Sequence, residues 1–142
     1  MDYSKIAEQR VWKYFRDGSK RKTIQRFNDT KDASLENFRK SDRTLTVMKS
    51  TPSDFIITEN GITYFAEVKS TISHVGVTSS LFKRQAKERT LILSAGGKYY
   101  YFIYAVHSSS WYKVPGQFIS ENPNRKWSQL TQYKIYFLEP IM

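Results

Sequence analysis

Within residues 51–71, three side chains have the types and spacing to do chemistry: Asp54, Glu67 and Lys69. Two β-rich runs, Phe55-Ile56-Ile57-Thr58 and Ile62-Thr63-Tyr64-Phe65, flank Asn60-Gly61. That dipeptide between alternating apolar runs predicts a hairpin, because a type I′ turn needs positive φ twice. A two-residue loop at 60 and 61 then sets Ile57 opposite Tyr64, Ile56 opposite Phe65 and Asp54 opposite Glu67. Residues two apart share a face of a strand, so Lys69 joins the two acids. Like charges facing each other at about 5 Å destabilise a sheet. A divalent cation removes that conflict. Carboxylate oxygens suit Mg²⁺ or Mn²⁺, which keep several waters and accept a phosphate oxygen. Such an ion polarises a phosphate and lowers the pKa of a bound water, while an ammonium positions that water or neutralises charge on phosphorus. The expected chemistry is metal-assisted hydrolysis of a phosphodiester. Glycoside hydrolysis fits less well, since its paired carboxylates need no cation.

The elements that must hold these residues follow from periodicity. Tyr3, Ile6, Ala7, Val11, Tyr14 and Phe15 recur at helical spacing, which predicts an amphipathic helix over 3–16 ended by Asp17-Gly18, with Glu8 at the flank of the apolar stripe. Residues 19–49 are polar and basic, with a short helix expected over 33–40 and a strand over 43–49. After a loop through His74 and Gly76, Ser79-Ser80 can cap a helix running to about Ser94. Its inner side is expected to carry Leu81, Phe82, Ala86, Arg89 and Leu93, and its outer side Lys83, Arg84 and Lys87. Gly96-Gly97 stops it. Residues 98–106 are apolar on both faces and read as a central, covered strand. The remainder reads as peripheral: Trp111, a short helix near 117–120, a polar loop at 122–126 and a closing strand over 134–138.

Composition bounds what this framework can be. The 142 residues include 39% hydrophobic and 15% aromatic side chains, enough for one folded domain spanning 1–142. There is no cysteine, which excludes disulfide scaffolds, thiolate zinc sites and cysteine nucleophiles, and fits a reducing, cytoplasmic compartment. The N-terminus lacks the apolar core of a secretory signal and no run of 18 apolar residues occurs, so neither export nor membrane insertion is expected. The formal charge is +10, of which residues 1–49 supply +6 and residues 50–142 supply +4, so the excess is not confined to one tail. A basic body attracts polyanions, nucleic acid first among them. Lys20, Arg21, Lys22 and Arg26, with Lys83, Arg84 and Lys87, are the expected DNA contacts.

Asp54 at the start of one strand, Glu67-Val68-Lys69 on its hairpin partner, then a helix and a strand together resemble the PD-(D/E)XK nuclease superfamily. That family has a restriction-endonuclease-like αβββαβ core, a mixed central sheet flanked by helices. The helix 3–16, strands near 44–49, 53–59 and 62–70, helix 80–94 and strand 98–106 match its order over residues 1–106. Here the proline precedes the aspartate by two, as Pro52-Ser53-Asp54. Glu67-Val68-Lys69-Ser70-Thr71, a helix bearing Gln85, and Gly96-Gly97 before an aromatic strand look most like the Holliday junction resolvases of the archaeal and RecU types. The resemblance implies that Asp54 and Glu67 bind the metal, that the Val68 carbonyl completes its shell and that Lys69 is catalytic. It further matches Glu8 to a first-helix acid at the metal and Gln85 to a supporting helix glutamine. The expected function is a Mg²⁺- or Mn²⁺-dependent endonuclease nicking branched DNA. One such site per chain makes one cut, so paired incision calls for a homodimer.

Two other functions stay open on these residues: a restriction-like or homing endonuclease acting on linear duplex, and a catalytically silent nucleic-acid-binding module. A plainer account has Asp54 capping a turn after Pro52 and Glu67–Lys69 forming an ordinary surface pair. His74 and His107 lie 33 apart, which argues against zinc and leaves His74 as a DNA contact at most. Tyr99, Tyr100, Tyr101, Phe102 and Tyr104 could stack on unpaired bases, but a central strand normally uses its aromatics as core.

Overall fold

The four-residue repeat of Ala7, Val11 and Phe15 folds as α1 (Tyr3–Arg16), with all three side chains fully buried. Asp2 accepts the Lys5 backbone N–H at 3.2 Å, and Lys13 and Arg16 occupy the last turn, where cations meet the negative end of the helix dipole. The computed structural model describes residues 2–16, 21–27 and 51–141. The expected helix over 33–40, the strand over 43–49, the stop at Asp17-Gly18 and the basic Lys20 lie outside the described residues.

Six strands lie side by side in the order β1 (Lys22–Arg26), β2 (Phe55–Glu59), β3 (Ile62–Thr71), β5 (Tyr99–Ala105), β6 (Ser110–Pro115) and β8 (Lys134–Ile135). β4 (Gly76–Val77) and β7 (Arg125–Lys126) form a separate two-stranded ladder. In the six-stranded sheet β3 and β5 run parallel and the other neighbours antiparallel. α1 packs on one face, against Phe55, Ile57, Ala66, Val68 and Phe102. On the other face α2 (Ala86–Ser94) and α3 (Gly116–Glu121) bring Ile92 and Ile119 against Tyr99, Tyr101, Ile103 and Val114. The chain is therefore a mixed α/β fold with a mixed sheet flanked by helices.

The hairpin register agrees with expectation: Ile57 pairs with Tyr64 and Ile56 with Phe65. Asn60 and Gly61 take φ of 52° and 80°, as the two-residue turn requires. A Cβ at Gly61 would meet nothing within 4 Å, so Gly61→Ala is opposed by backbone strain alone. We expect that variant to lose about 1 kcal/mol in urea denaturation. The aromatic strand is core as expected, with Tyr99, Tyr101, Phe102 and Tyr104 at most 1% exposed.

Several expectations are corrected. Residues 22–26, assigned to the polar basic segment, form the edge strand β1, paired with β2 from Lys22 opposite Glu59 to Arg26 opposite Phe55. Among the described residues β1 has a neighbour on one side only, and Ile24 is its one apolar residue, as a strand at a sheet edge allows. The helix over 80–94 is broken into a 3₁₀ turn (Ser79–Phe82) and α2, because Gln85 adopts φ 61°. That bend lets Phe82 pack edge-on against Tyr101 at 4.7 Å while Arg89 and Ile92 turn inward. Thr78 and Gln85 precede the two pieces, so Ser79-Ser80 caps neither. Trp111 is not peripheral: it is 1% exposed in β6, and its indole N–H donates to the Glu139 carbonyl at 3.0 Å. The closing strand shrinks to Lys134–Ile135, while Leu138 is buried beyond it.

Candidate functional site

Asp54 sits one residue before β2, where the β2–β3 ladder has ended and its carboxylate can reach the backbone of β3. Four hydrogen bonds fix that segment. Tyr99 Oη donates to the Pro52 carbonyl at 2.7 Å, and Ser53 Oγ to the Phe55 carbonyl at 2.7 Å. The Phe27 N–H donates to the Asp54 carbonyl at 2.9 Å, and the Asp54 N–H to Glu67 Oε1 at 2.9 Å. In return Asp54 Oδ2 accepts the Val68 N–H at 2.8 Å. Each acid thus accepts a backbone N–H from the opposite strand segment across the open end of the hairpin, Glu67 from Asp54 and Asp54 from Val68. Lys69 Nζ lies 3.3 Å from Glu67 Oε2.

Burial makes this cluster electrostatically tense. Glu67 is 3% exposed, and desolvation, reinforced by the neighbouring Asp54 charge and only partly offset by Lys69, pushes its carboxyl up to about 8. Asp54 is also raised by burial, against the lowering effect of the Val68 N–H. Two carboxyl groups this close titrate as a pair, so the pair holds a proton more readily than two free acids. Glu8 is raised in turn, first by burial and then by Asp54, while Arg26 and Arg84 pull it down. Asp54, Glu67 and Lys69 therefore converge as expected, with Glu8, Arg26 and Arg84 within electrostatic reach.

The donor set suits a hard dication: two neighbouring carboxylates, both of proton affinity raised first by burial, whose burial as anions a bound positive charge would relieve. In an extended strand a residue's N–H and C=O point to the same side, so the Val68 carbonyl faces the side of Asp54, as its N–H does. Among the described residues, no group of three or more histidines and acids gathers closely enough to hold a metal. The protein ligands would be Asp54, Glu67 and the Val68 carbonyl, with Glu8 close enough for its charge to be felt by Asp54.

Other assigned residues fall into distinct places. Gln85 is half-buried at the break before α2, and its Oε1 is a buried acceptor with no partner among the described residues. Arg26 stacks its guanidinium 5.3 Å from the Trp12 ring and 5.4 Å from Phe55. Lys22 lies at the far end of β1, its Nζ 3.4 Å over the Tyr14 ring. Arg21, Lys83, Arg84 and Lys87 are exposed.

Two features escaped sequence analysis. Arg89, buried under the sheet, donates from Nη1 to Tyr101 Oη at 2.8 Å, beneath Glu67. An arginine among the inward positions of α2 was the visible signal. His74 and His107, 33 apart in sequence, meet with ring centroids 4.9 Å apart and planes tilted by 36°. Thr71 and Ala105 are partners in the parallel pair β3–β5, so residues two and three beyond them meet. No helix among the described residues is long and apolar enough to cross a membrane.

No protein-family model matches the chain, and no curated protein matches it either.

Proposed function

We propose that the chain is a divalent-metal-dependent DNA endonuclease of the PD-(D/E)XK kind, a phosphodiester hydrolase acting on branched DNA in the manner of a Holliday junction resolvase. One observation carries this: Glu67 accepts the Asp54 N–H at 2.9 Å and Asp54 accepts the Val68 N–H at 2.8 Å across the hairpin end, with Lys69 Nζ 3.3 Å from Glu67. Nothing in a mere turn cap asks for a buried second acid and an ammonium beside it. Asp54, Glu67 and the Val68 carbonyl would hold Mg²⁺ or Mn²⁺, which supplies Lewis-acid polarisation of the phosphate and a more acidic water. Lys69 orients the attacking water through its N–H donors and stabilises negative charge growing on the phosphoryl oxygens. Glu67 Oε2 holds that ammonium in place. The exposed Arg84, which acts on both Asp54 and Glu8, guides the backbone phosphate toward the acids. Paired nicks require two copies of the chain, one site each.

The test is cleavage of labelled four-way junction, flap, linear duplex and single-stranded DNA, with and without Mg²⁺. Junction is expected to be cut in symmetric pairs, only with metal. Cutting of duplex at one sequence, with no preference for branches, would turn the assignment to a restriction-like enzyme. Salt-sensitive binding without cleavage of any substrate would leave a binding module.

A further inference from the structure

We propose that a cavity between α1, β1 and the C-terminal segment is a second site that binds one nucleotide unit, a phosphate together with its base. The cavity has a volume of about 290 Å³ and is lined by Arg10, Lys13, Tyr14, Lys22, Phe137 and Glu139, with Leu138 behind. That volume sits at the low end of ligand pockets, about 300–1,000 Å³, and suits a single nucleotide rather than a length of strand. Three cations face one acid, Glu139, so the lining favours an anion. The Arg10 Nε is buried and has no hydrogen-bond partner among the described residues. A buried N–H without an acceptor is unfavourable, and among anions a phosphate has the oxygens that match the donors of a guanidinium such as Arg10's.

The other wall is aromatic. Tyr14 and Phe137 lie 4.7 Å apart with planes tilted by 32°. Tyr14 is covered by the Lys22 ammonium at 3.4 Å, and that ammonium also lies in the field of Glu59. Phe137 remains 40% exposed, which is unusual for a phenylalanine in contact with a core, and offers a face on which a base can stack. Cations beside an open ring are the combination that reads phosphate and base together.

The site is separate from the acids. Lys22 pairs with Glu59, whereas Arg26 pairs with Phe55 beside Asp54, and those four residue steps span about 13 Å of strand. Two sources share the ligand chemistry: an unpaired nucleotide in DNA and a free nucleotide.

Calorimetry on the 142-residue chain without divalent ions compares thymidine 5′-monophosphate, thymidine and inorganic phosphate. The monophosphate is expected to bind at least tenfold tighter than either part. Phe137→Leu, which keeps the packing against Tyr14 and removes the stacking face, is expected to weaken the monophosphate about tenfold and leave phosphate unchanged. Arg10→Met is expected to weaken both. A duplex with one unpaired nucleotide, compared with a perfect duplex, separates the sources: preference for the bulge assigns the site to DNA, and equal binding assigns it to the free nucleotide. Phosphate binding as tight as the monophosphate, unchanged binding in Arg10→Met, or no binding of monophosphate and no bulge preference each overturns the proposal. Asp54→Asn should bind the monophosphate like the parent chain, so failure of the nuclease assignment and failure of this site are separate results.

Discussion

Glu67→Gln is expected to cut four-way junction DNA in Mg²⁺ about 10³-fold more slowly than the parent protein, and Asp54→Asn to lose at least as much. Each replacement removes one of two carboxylates facing the same space, and with it the charge that would retain a dication. Lys69→Ala is expected to lose about 10²- to 10³-fold, the size of deleting one preorganised donor at a developing anion. Because the three act as a unit, the double variant Asp54→Asn/Glu67→Gln should be hardly slower than either single one. Single-turnover cleavage at saturating DNA measures this, with circular dichroism confirming the fold. Parent-like rates in all three variants would end the nuclease assignment.

The same Glu67 should make the metal-free protein sensitive to alkali. Its carboxyl is pushed up to about 8 by burial and by Asp54, whereas in the unfolded chain it returns to the ordinary value of 4.5. Below 4.5 both states carry the proton and burial exacts no ionisation penalty. Between 4.5 and 8 the unfolded chain has released the proton while the folded chain retains it, so stability falls as pH rises, and the full loss is reached above 8. The loss amounts to a few kcal/mol, on the order of 10 °C in Tm for a chain of this size. Thermal unfolding in chelator should therefore show Tm dropping from pH 5 to pH 8.5. Glu67→Gln, which cannot ionise, should flatten that drop and be the more stable protein at pH 8.5, and Mg²⁺ should raise the parent's Tm more at pH 8 than at pH 6. A parent Tm independent of pH in chelator would show that Glu67 is not held in the buried setting described.

Much of the site was legible because local chemistry wrote it. Asn60-Gly61 fixes the turn, the turn fixes the register, and the register brings Asp54 to Glu67 and Lys69 to their side. The central strand was legible because residues 99–105 are apolar on both faces. What stayed hidden depends on tertiary position. The strand Lys22-Thr23-Ile24-Gln25-Arg26, the last of the sheet among the described residues, has a single apolar residue, and charge alone made it look like a solvated segment. The positive φ of Gln85 has no local signature, since glutamine is no turn former, and it broke an otherwise continuous helical pattern. The His74–His107 contact exists only because β3 and β5 run parallel, a relation between segments that neither segment encodes.

Asp54 lies outside β2, and its carbonyl is held by the N–H of Phe27, one residue past β1. Among the described residues β1 has a neighbour on one side only, and such a strand is the first part of a sheet to fray. When β1 peels, the aspartate loses an anchor at the same moment, while Glu67 in the sheet interior keeps its place. The proposed centre thus has one firm half and one half tied to β1, so whatever steadies that strand sharpens the centre.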